Sequence, residues 1–330
     1  MTVKATFRNV LAKVVFLLAA GAGCVQAAEN YPSRPVRMIV PFAPGGASDF
    51  VARIIQPRLA EELGQQLVID NRAGASGNIG VEVAADATPD GYTVILGNVG
   101  SMAINPSIYP KFRIRTVRDF IPVTQVVDVP TALAAHQSVP ANTVKEFIAY
   151  AKARPGKLNF GSAGAGSNGR LEMESFMQQA GIQLVQIPYK GGAGAAVAAV
   201  VGGEVSVAMI TVSSTMPHVR SGKMKVLGVA ASRRVAALPA VPTMAESGFP
   251  GMTSGSWQGV YVPKDTPQAI VKKLYAVVTK VMADPAVIKR LGADGAEVIT
   301  SKSPEAFAAF MKAQTEHFAK LVKQVGAVAE

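Results

Sequence analysis

Cysteine is almost absent from this chain. The single cysteine among 330 residues is Cys24, so the remainder offers no thiol for a disulfide, a thiolate nucleophile or a cysteine-ligated metal ion. Histidine is also scarce, and His136, His218 and His317 lie too far apart in the sequence to form a recognisable set of metal ligands. We therefore expect neither a metal ion nor another cofactor.

Charged and aromatic residues are also few, at 17% and 6% of the chain, whereas apolar residues make up 49%. The formal net charge is nevertheless +11, because Lys and Arg outnumber Asp and Glu by 33 to 22. These basic residues are scattered, and the sequence contains no basic helix interleaved with aromatic residues. We expect a compact monomer of two domains with a solvated basic surface and no nucleic-acid partner.

The chain has no apolar run long enough to cross a membrane as a helix. Residues 14–22 form a short apolar run, and three basic residues precede it. Small residues stand at positions −3 and −1 of a cleavage site after Ala27. These features predict a secretory signal peptide over residues 1–27 and a periplasmic mature protein of formal charge +8. An alternative in which Cys24 becomes a lipidated N-terminus stays open, although Gly21 stands where such signals usually carry Leu.

Strand and helix patterns alternate along the mature chain. Strands are predicted at residues 36–40, 67–70, 93–96, 120–125, 131–134, 157–160, 184–188, 205–210, 225–230 and 257–262. Helices are predicted at residues 48–63, 78–85, 143–153, 168–180, 193–201, 267–283, 285–291 and 304–325. This alternation is typical of α/β proteins whose parallel-rich sheets carry helices on both faces.

A small-residue loop, Pro41–Asp49, joins the first predicted strand to the first predicted helix and contains Gly45 and Gly46. Ser48 or Asp49 would cap that helix. Such a loop presents unpaired backbone N–H groups at the positive end of a helix, where an anion is held without Lys or Arg. Taken alone, this first loop is more typical of an ordinary strand-to-helix turn than of an anion site.

A second loop of the same kind, Gly161–Ser167, follows the strand at 157–160 and precedes the helix at 168–180. Ligands of α/β sheets collect at the carboxyl ends of the strands. Because the two loops lie in different halves of the chain, they predict an anion held in a cleft between two closing domains.

Short motifs recur in order over nearly the whole mature chain. They are Pro41–Asp49, Asn71–Gly80, Pro89–Tyr92, Asn105–Tyr109, Ala151–Gly156, Gly161–Ser167, Pro188–Gly191, Leu238–Glu246 and Trp257–Gly259. In these segments the chain resembles the tripartite tricarboxylate receptor proteins, the Bug family of periplasmic solute-binding proteins. The resemblance implies a type II-like periplasmic-binding-protein fold with its ligand cleft between two domains. The implied boundaries are 28–126 plus 256–330 for domain 1 and 127–255 for domain 2, with crossovers near 126–130 and 233–255.

The resemblance also implies a function, the capture of a di- or tricarboxylate, an aromatic carboxylate or an acidic amino acid. The ligand would pass to the membrane subunits of a tripartite tricarboxylate transporter or to a sensor protein. The implied ligand-binding residues are Phe42, Ala43, Gly45, Gly46, Asp49, Asn98, Gly100, Ser101, Ser162, Ala163, Gly166, Ser167, Asn168, Tyr189, Met209, Thr211 and Ser213. Asp49 and Lys190 could each contact the ligand or have a structural role.

Two segments depart from the family pattern. Arg170, two residues before the acidic residue Glu172, stands where related receptors often carry His. The segment Gly194–Ala199 replaces one that usually reads Pro-Ala…Asp-Leu. Both lie on the second domain's side of the cleft, so the resemblance leaves the particular ligand unspecified.

Two enzymatic alternatives were weighed against solute binding. An exported serine hydrolase would use Ser167, since residues 165–169 nearly match Gly-x-Ser-x-Gly, but it would need a histidine base nearby. A dinucleotide site is disfavoured because Gly161, Gly164 and Gly166 have the wrong spacing for Gly-x-Gly-x-x-Gly. We expect a binding protein and not an enzyme.

Overall fold

The computed structural model describes residues 31–164, 167–189, 192–252 and 255–325. The signal sequence predicted at 1–27 lies outside the described residues, as do Gly166 and Lys190. Within the described part of the chain, no helix combines the length and the apolar character that crossing a bilayer requires.

The strands form one sheet of six strands and one of five. In chain order they are β1 (Val36–Val40), β2 (Leu67–Asn71), β3 (Thr93–Asn98), β4 (Phe120–Asp128), β5 (Thr131–His136), β6 (Asn159–Ser162), β7 (Val185–Pro188), β8 (Val207–Thr211), β9 (Met224–Ala230), β10 (Gln258–Pro263) and β11 (Glu297–Val298). The first sheet has the order β11-β4-β10-β3-β1-β2 and the second has the order β7-β6-β8-β5-β9.

Helices connect these strands. They are α1 (Ala47–Leu63), α2 (Asn78–Ala85), α3 (Asn105–Ile108), α4 (Thr116–Asp119), α5 (Val144–Lys152), α6 (Asn168–Ala180), α7 (Ala193–Val201), α8 (Val212–Arg220), α9 (Gln268–Met282), α10 (Pro285–Ala293) and α11 (Pro304–Val325). A 3-10 turn at Ala75–Gly77 precedes α2, and a π-helical turn at Gly100–Ile104 precedes α3. The architecture is the α/β class that the alternating pattern predicts.

Both sheets are mixed, which differs from the parallel-rich arrangement expected from the alternation. In the first sheet β1 is parallel to β2 and β3, whereas β10 is antiparallel to β3 and β4. In the second sheet β6 is parallel to β7 and β8, whereas β5 is antiparallel to β8 and β9. Strands β5 and β10, which run against both of their neighbours, are the first strands after the two points where the chain changes sheet.

The chain leaves the first sheet after Asp128 and returns to it at Gln258. The two crossing segments are hydrogen-bonded to each other, because Ser256 N–H donates to Val129 O at 2.8 Å. Strand β4 runs two residues past the boundary expected at 126. We propose that each sheet is the core of one domain, with these paired segments as the hinge.

Apolar residues are buried on both faces of each sheet. On one face of the first sheet Ile55 of α1 and Leu274 of α9 belong to one cluster, and Phe307 of α11 packs with Tyr261 on the opposite face. Burial of each such side chain contributes about 1.5–3 kcal/mol. These helices hold the strand ends, and the loops that follow them, in fixed positions.

All the predicted strands and helices occur, with ends shifted by at most three residues. Helix α8 was not predicted, because Pro217 and a run of Ser and Thr residues obscure its apolar period, yet buried Val212 and Met216 pack it against β9. The predicted cap of the first helix was wrong: α1 begins at Ala47 and its N-cap is Gly46, which has no side chain.

Candidate ligand-binding cavity

A cavity of about 80 Å³ lies between the two sheets, at the carboxyl ends of β1, β3, β6 and β8. This volume accommodates several water molecules at about 10–15 Å³ each. It is lined by Phe42, Gly46, Ala47, Ser48, Ser76, Asn98, Val99, Gly100, Thr131, Gly161, Ala163, Ser167, Asn168, Gly169, Ala193, Ala196, Met209, Ile210, Thr211 and Ser256. Both sheets therefore contribute residues to one cavity.

Four helices begin at the wall of this cavity, namely α1, α6, α7 and α8. The first N–H groups of a helix have no acceptor within it, and a helix N-terminus carries about half a positive charge. Among the described residues of the lining, none is Lys, Arg, His, Asp or Glu. The cavity is therefore suited to an anion through backbone dipoles and not through side-chain charge.

Asp49 fixes the backbone of the first loop. Its carboxylate accepts hydrogen bonds from Gly45 N–H at 3.1 Å, from Arg53 Nε at 2.9 Å and from Asn71 Nδ2 at 3.1 Å. Asn71 Nδ2 also donates to Phe42 O at 3.0 Å. Burial by itself raises the pKa of Asp49, but the bonds from Arg53, Gly45 and Asn71 outweigh it and leave that pKa lowered. Asp49 thus braces the loop as a carboxylate.

Ser48 is a lining residue whose hydroxyl is buried and unpaired. The residue is only 2% exposed, and its hydroxyl has no hydrogen-bond partner among the described residues. Leaving a buried hydroxyl unpaired costs about 1–3 kcal/mol. Ser48 is the second residue of α1, so a bound anion could accept from its hydroxyl and from free N–H groups of the same helical turn.

Across the cavity, Thr131 and Asn168 line the wall formed by the second sheet. Thr131 Oγ1 donates to one carboxylate oxygen of Glu172, and Asn168 Nδ2 donates to the other. Glu172 is buried and lies outside the lining. It therefore orients two polar side chains of the wall from behind.

Asn98, at the end of β3, is held in place by Ser101. Ser101 N–H donates to Asn98 Oδ1 at 3.0 Å, and Ser101 Oγ accepts from Asn98 N–H at 3.1 Å. Ser101 is fully buried and does not itself line the cavity. Its effect on a ligand would act through Asn98.

The first loop touches helix α7 directly. A Cβ atom placed on Gly46 would lie 3.8 Å from the Cβ of Ala193. A Cβ atom placed on Gly194 would lie 2.8 Å from Pro44 O. The two halves of the molecule are therefore in van der Waals contact beside the cavity.

Nine of the residues expected in the site line the cavity: Phe42, Gly46, Asn98, Gly100, Ala163, Ser167, Asn168, Met209 and Thr211. Seven described ones lie outside the lining: Ala43, Gly45, Asp49, Ser101, Ser162, Tyr189 and Ser213. Side chains alternate between the faces of a strand, so Ser162 points away from Gly161 and accepts a hydrogen bond from Gln186 Nε2 at 2.8 Å. Tyr189 reaches Glu204 instead, at 3.2 Å.

Several lining residues were not expected to contact a ligand, among them Ser48, Ser76, Thr131, Ala193 and Ser256. Thr131 and Ser256 adjoin the two crossovers. Residues beside a hinge between two sheets commonly face the cleft, so the positions of these two residues in the sequence could have indicated that they line the cavity. Ser76 adopts a left-handed conformation with φ +55°, which no local residue pattern indicates.

Among the described residues, no basic side chain is hydrogen-bonded to Ser167. Its hydroxyl donates to Gly164 O at 2.9 Å and accepts from Arg170 N–H at 3.3 Å as the N-cap of α6. The histidines belong to the end of β5, the last turn of α8 and helix α11: His136, His218 and His317. Within the described residues, Ser167 is therefore a helix cap and not an activated nucleophile.

The model of the tripartite tricarboxylate transporter family receptor matches residues 51–327. Protein BugT of Bordetella pertussis strain Tohama I is similar to this chain, with 35% identity over 314 residues, 95% of this chain and 96% of BugT. The periplasmic binding protein BugD is similar in structure, with a TM-score of 0.87 at 37% identity over 91% of this chain and 100% of BugD.

Two further similar structures contain a carboxylate. R. palustris Rpa4515 with adipate has a TM-score of 0.87 at 34% identity, over 91% of this chain and 100% of that chain. MatC from Rhodopseudomonas palustris with bound malate has a TM-score of 0.82 at 33% identity, over 88% of this chain and 100% of that chain. On the family match and these identities, the chain belongs to the tripartite tricarboxylate transporter receptor family, whose members are periplasmic solute-binding proteins and not enzymes.

Proposed function

We propose that this chain is a periplasmic receptor that binds a small carboxylate between its two sheets for tripartite tricarboxylate-type uptake. One observation carries the proposal: helix N-termini converge on a cavity that has no charged side chain among its described lining residues, and the lining residue Ser48 has an unpaired hydroxyl. Adipate and malate, which occupy two similar structures, are both dicarboxylates and support this ligand class.

In this proposal one carboxylate group of the ligand sits at the N-terminus of α1. It accepts hydrogen bonds from the N–H groups of Ala47 and Ser48 and from the Ser48 hydroxyl. A helix N-terminus contributes about 0.3–1 kcal/mol to holding an anion, and a hydrogen bond to a charged group contributes about 1.5–3 kcal/mol. Since Gly45 N–H is occupied by Asp49, it is not available to the ligand.

A thermal-shift screen identifies the ligand, and a matched pair of variants tests the site. The screen covers di- and tricarboxylates, aromatic carboxylates and acidic amino acids, each beside its neutral amide. Ser48→Ala should weaken binding of the best carboxylate about 10- to 100-fold, the factor for one lost charge-assisted hydrogen bond. The ligand-free protein should be as stable as wild type or more so, because an unpaired buried hydroxyl is removed.

Ser213→Ala is the matched control. Ser213 is 3% exposed and its hydroxyl also lacks a partner among the described residues, but it lies outside the cavity lining. Its alanine variant should bind within about twofold of wild type by isothermal titration calorimetry. Equal affinities of Ser48→Ala and wild type would contradict the proposed position of the carboxylate.

Export and uptake require separate tests in cells. Fractionation should recover the protein from the periplasm, with a mature N-terminus at Ala28. Deletion of the gene should abolish uptake of the carboxylate identified in the screen. Unchanged uptake together with a lost transcriptional response to that carboxylate would assign the receptor to sensing instead.

A further inference from the structure

We infer that Gly194, in the first turn of α7, sets how closely the two halves of the molecule close, and therefore which ligands the cavity accepts. The contact of Gly194 with the first loop stands on the structure alone. Its consequence for carboxylate selection rests on the proposed function. In the sequence, this segment is notable only as a departure from the family pattern.

The contact leaves no space for a side chain. A Cβ atom on Gly194 would approach Pro44 O to 2.8 Å, which is closer than carbon and oxygen atoms tolerate. It would also lie 3.5 Å from Gly46 N, at the cap of α1. Pro44 O and Gly46 N are backbone atoms, so the clash is relieved only if the first loop and α7 move apart.

The conformation of Gly194 itself does not require glycine. Two other glycines of the second half also meet the first half: Gly164 contacts Ser76, and Gly192 contacts Phe42. Both have positive φ, at +104° and +82°, so their own backbone favours glycine whether or not the halves are in contact. Gly194 is helical, so the contact with Pro44 is the specific reason for glycine at this position.

Glycine is also the less favourable residue for a helix. Alanine stabilises a helical position relative to glycine because it restricts the unfolded chain. The α7 sequence is otherwise rich in Ala and Val, which makes the glycine at its second residue a local exception. The sequence thus forgoes helix stability at an α7 position that contacts Pro44.

Beside the contact of Gly194 with Pro44, the N-termini of α1 and α7 lie close together. A Cβ atom on Gly46 would lie 3.8 Å from the Cβ of Ala193. Two positive helix ends repel each other unless an anion lies near both. A carboxylate at the α1 terminus would offset this repulsion, and it would favour closure. A ligand too large for α7 to approach the first loop would prevent the contact of Gly194 with Pro44, and the closed cavity would exclude it.

Disulfide trapping tests the closure without a ligand. Cysteines at Gly46 and Ala193 have the Cβ separation of a disulfide, which averages about 3.8 Å. In a Cys24→Ser background, G46C/A193C should therefore oxidise to an intramolecular disulfide with oxidised glutathione. Adding Gly194→Ala should slow this oxidation, and Gly194→Val should slow it at least about tenfold. Absence of the disulfide in G46C/A193C, or equal rates in all three proteins, would overturn the inference.

Binding measurements connect the closure to affinity. With malate and adipate as probes, Gly194→Ala should bind about tenfold more weakly than wild type while its ligand-free melting temperature is unchanged or higher. The matched control is Gly292→Ala in α10, because a Cβ there meets no atom within 4 Å. The control should bind as wild type does. Equal affinities of Gly194→Ala and Gly292→Ala would overturn the inference.

The two proposals fail in different ways. If no carboxylate of the screen binds the wild-type protein, the proposed function fails, whereas the trapping rates still decide whether Gly194 governs closure. If carboxylates bind normally and Gly194→Val still forms the disulfide at the parental rate, only the inference on Gly194 fails.

Discussion

Substitution of Gly46 by aspartate places a fixed carboxylate at the proposed position of the ligand's carboxylate. Gly46 is the N-cap of α1, with φ −88° and ψ 171°, an extended conformation that any residue adopts. A Cβ at this position meets its nearest atoms at 3.8–3.9 Å, so the side chain fits. An N-cap aspartate accepts hydrogen bonds from the N–H groups of the second and third helical residues, here Ser48 and Asp49.

The expected effect on affinity is large and the effect on folding is small. Two carboxylates about 4 Å apart repel each other by about 4 kcal/mol at an effective dielectric constant near 20, which corresponds to roughly a thousandfold loss of affinity. Replacing a glycine N-cap by aspartate changes stability by only a few tenths of a kcal/mol, in the favourable direction. Gly46→Asp should therefore fold normally and fail to bind.

Two further variants separate charge from shape in this experiment. Gly46→Asn caps the helix without a charge and should lose far less affinity than Gly46→Asp, whereas Gly46→Ala adds only the Cβ and should bind nearly as wild type. At a hundredfold excess over Kd, binding stabilises the wild-type protein by about 2.7 kcal/mol, a readily measured thermal shift. A Gly46→Asp protein whose thermal shift and calorimetric Kd match those of Gly46→Ala would rule out a carboxylate site at the N-terminus of α1.

Two carboxyl groups, the buried one of Asp49 and the partly buried one of Asp128, give opposite pH dependences of stability. Because the pKa of Asp49 is lowered, Asp49→Asn should reduce the free energy of unfolding by about 1–2 kcal/mol at pH 7. This difference from wild type should disappear once the pH has fallen below 3.8 and then below the pKa of Asp49 in the folded protein. Urea unfolding at pH 7 and pH 3 checks this, and a constant difference would argue against the brace. Burial, partly offset by Val129 N–H and reinforced by Glu297, raises the pKa of Asp128 to about 6. Ionisation of Asp128 therefore lowers the free energy of unfolding as the pH rises from about 4 to 6. The Asp128→Asn protein should be about 2 kcal/mol more stable than wild type at pH 8 and as stable as wild type at pH 3.5. Equal stability of the two proteins at pH 8 would contradict the raised pKa.

Much of the fold is predictable from this sequence, because apolar periodicity and turn residues agree along most of the chain. Helix α1, for example, follows from the spacing of Ile54, Ile55 and Leu59, all of which are buried. Helix α8 escaped prediction because its burial on β9, and not its own residue pattern, keeps Pro217 within a helix. The antiparallel strands next to the crossovers are likewise set by the path of the chain between sheets.

The site was less predictable than the fold. The first loop was identifiable from Gly45 and Gly46, since two adjacent glycines between a strand and a helix indicate close approach of backbone to a ligand. The role of Asp49 depends on Arg53 and Asn71, and the pairing with Asn71 joins residues 22 positions apart. The unpaired state of Ser48 and the contact of Gly194 with Pro44 are properties of the assembled halves, so no local pattern reveals them.

A crystal structure of the complex with the carboxylate that raises the melting temperature most would locate the ligand directly. We predict one carboxylate group at the N-terminus of α1, with its oxygens about 3 Å from the Ser48 hydroxyl and from the N–H groups of Ala47 and Ser48. A carboxylate bound away from α1, or held there by a lysine or arginine side chain, would contradict it.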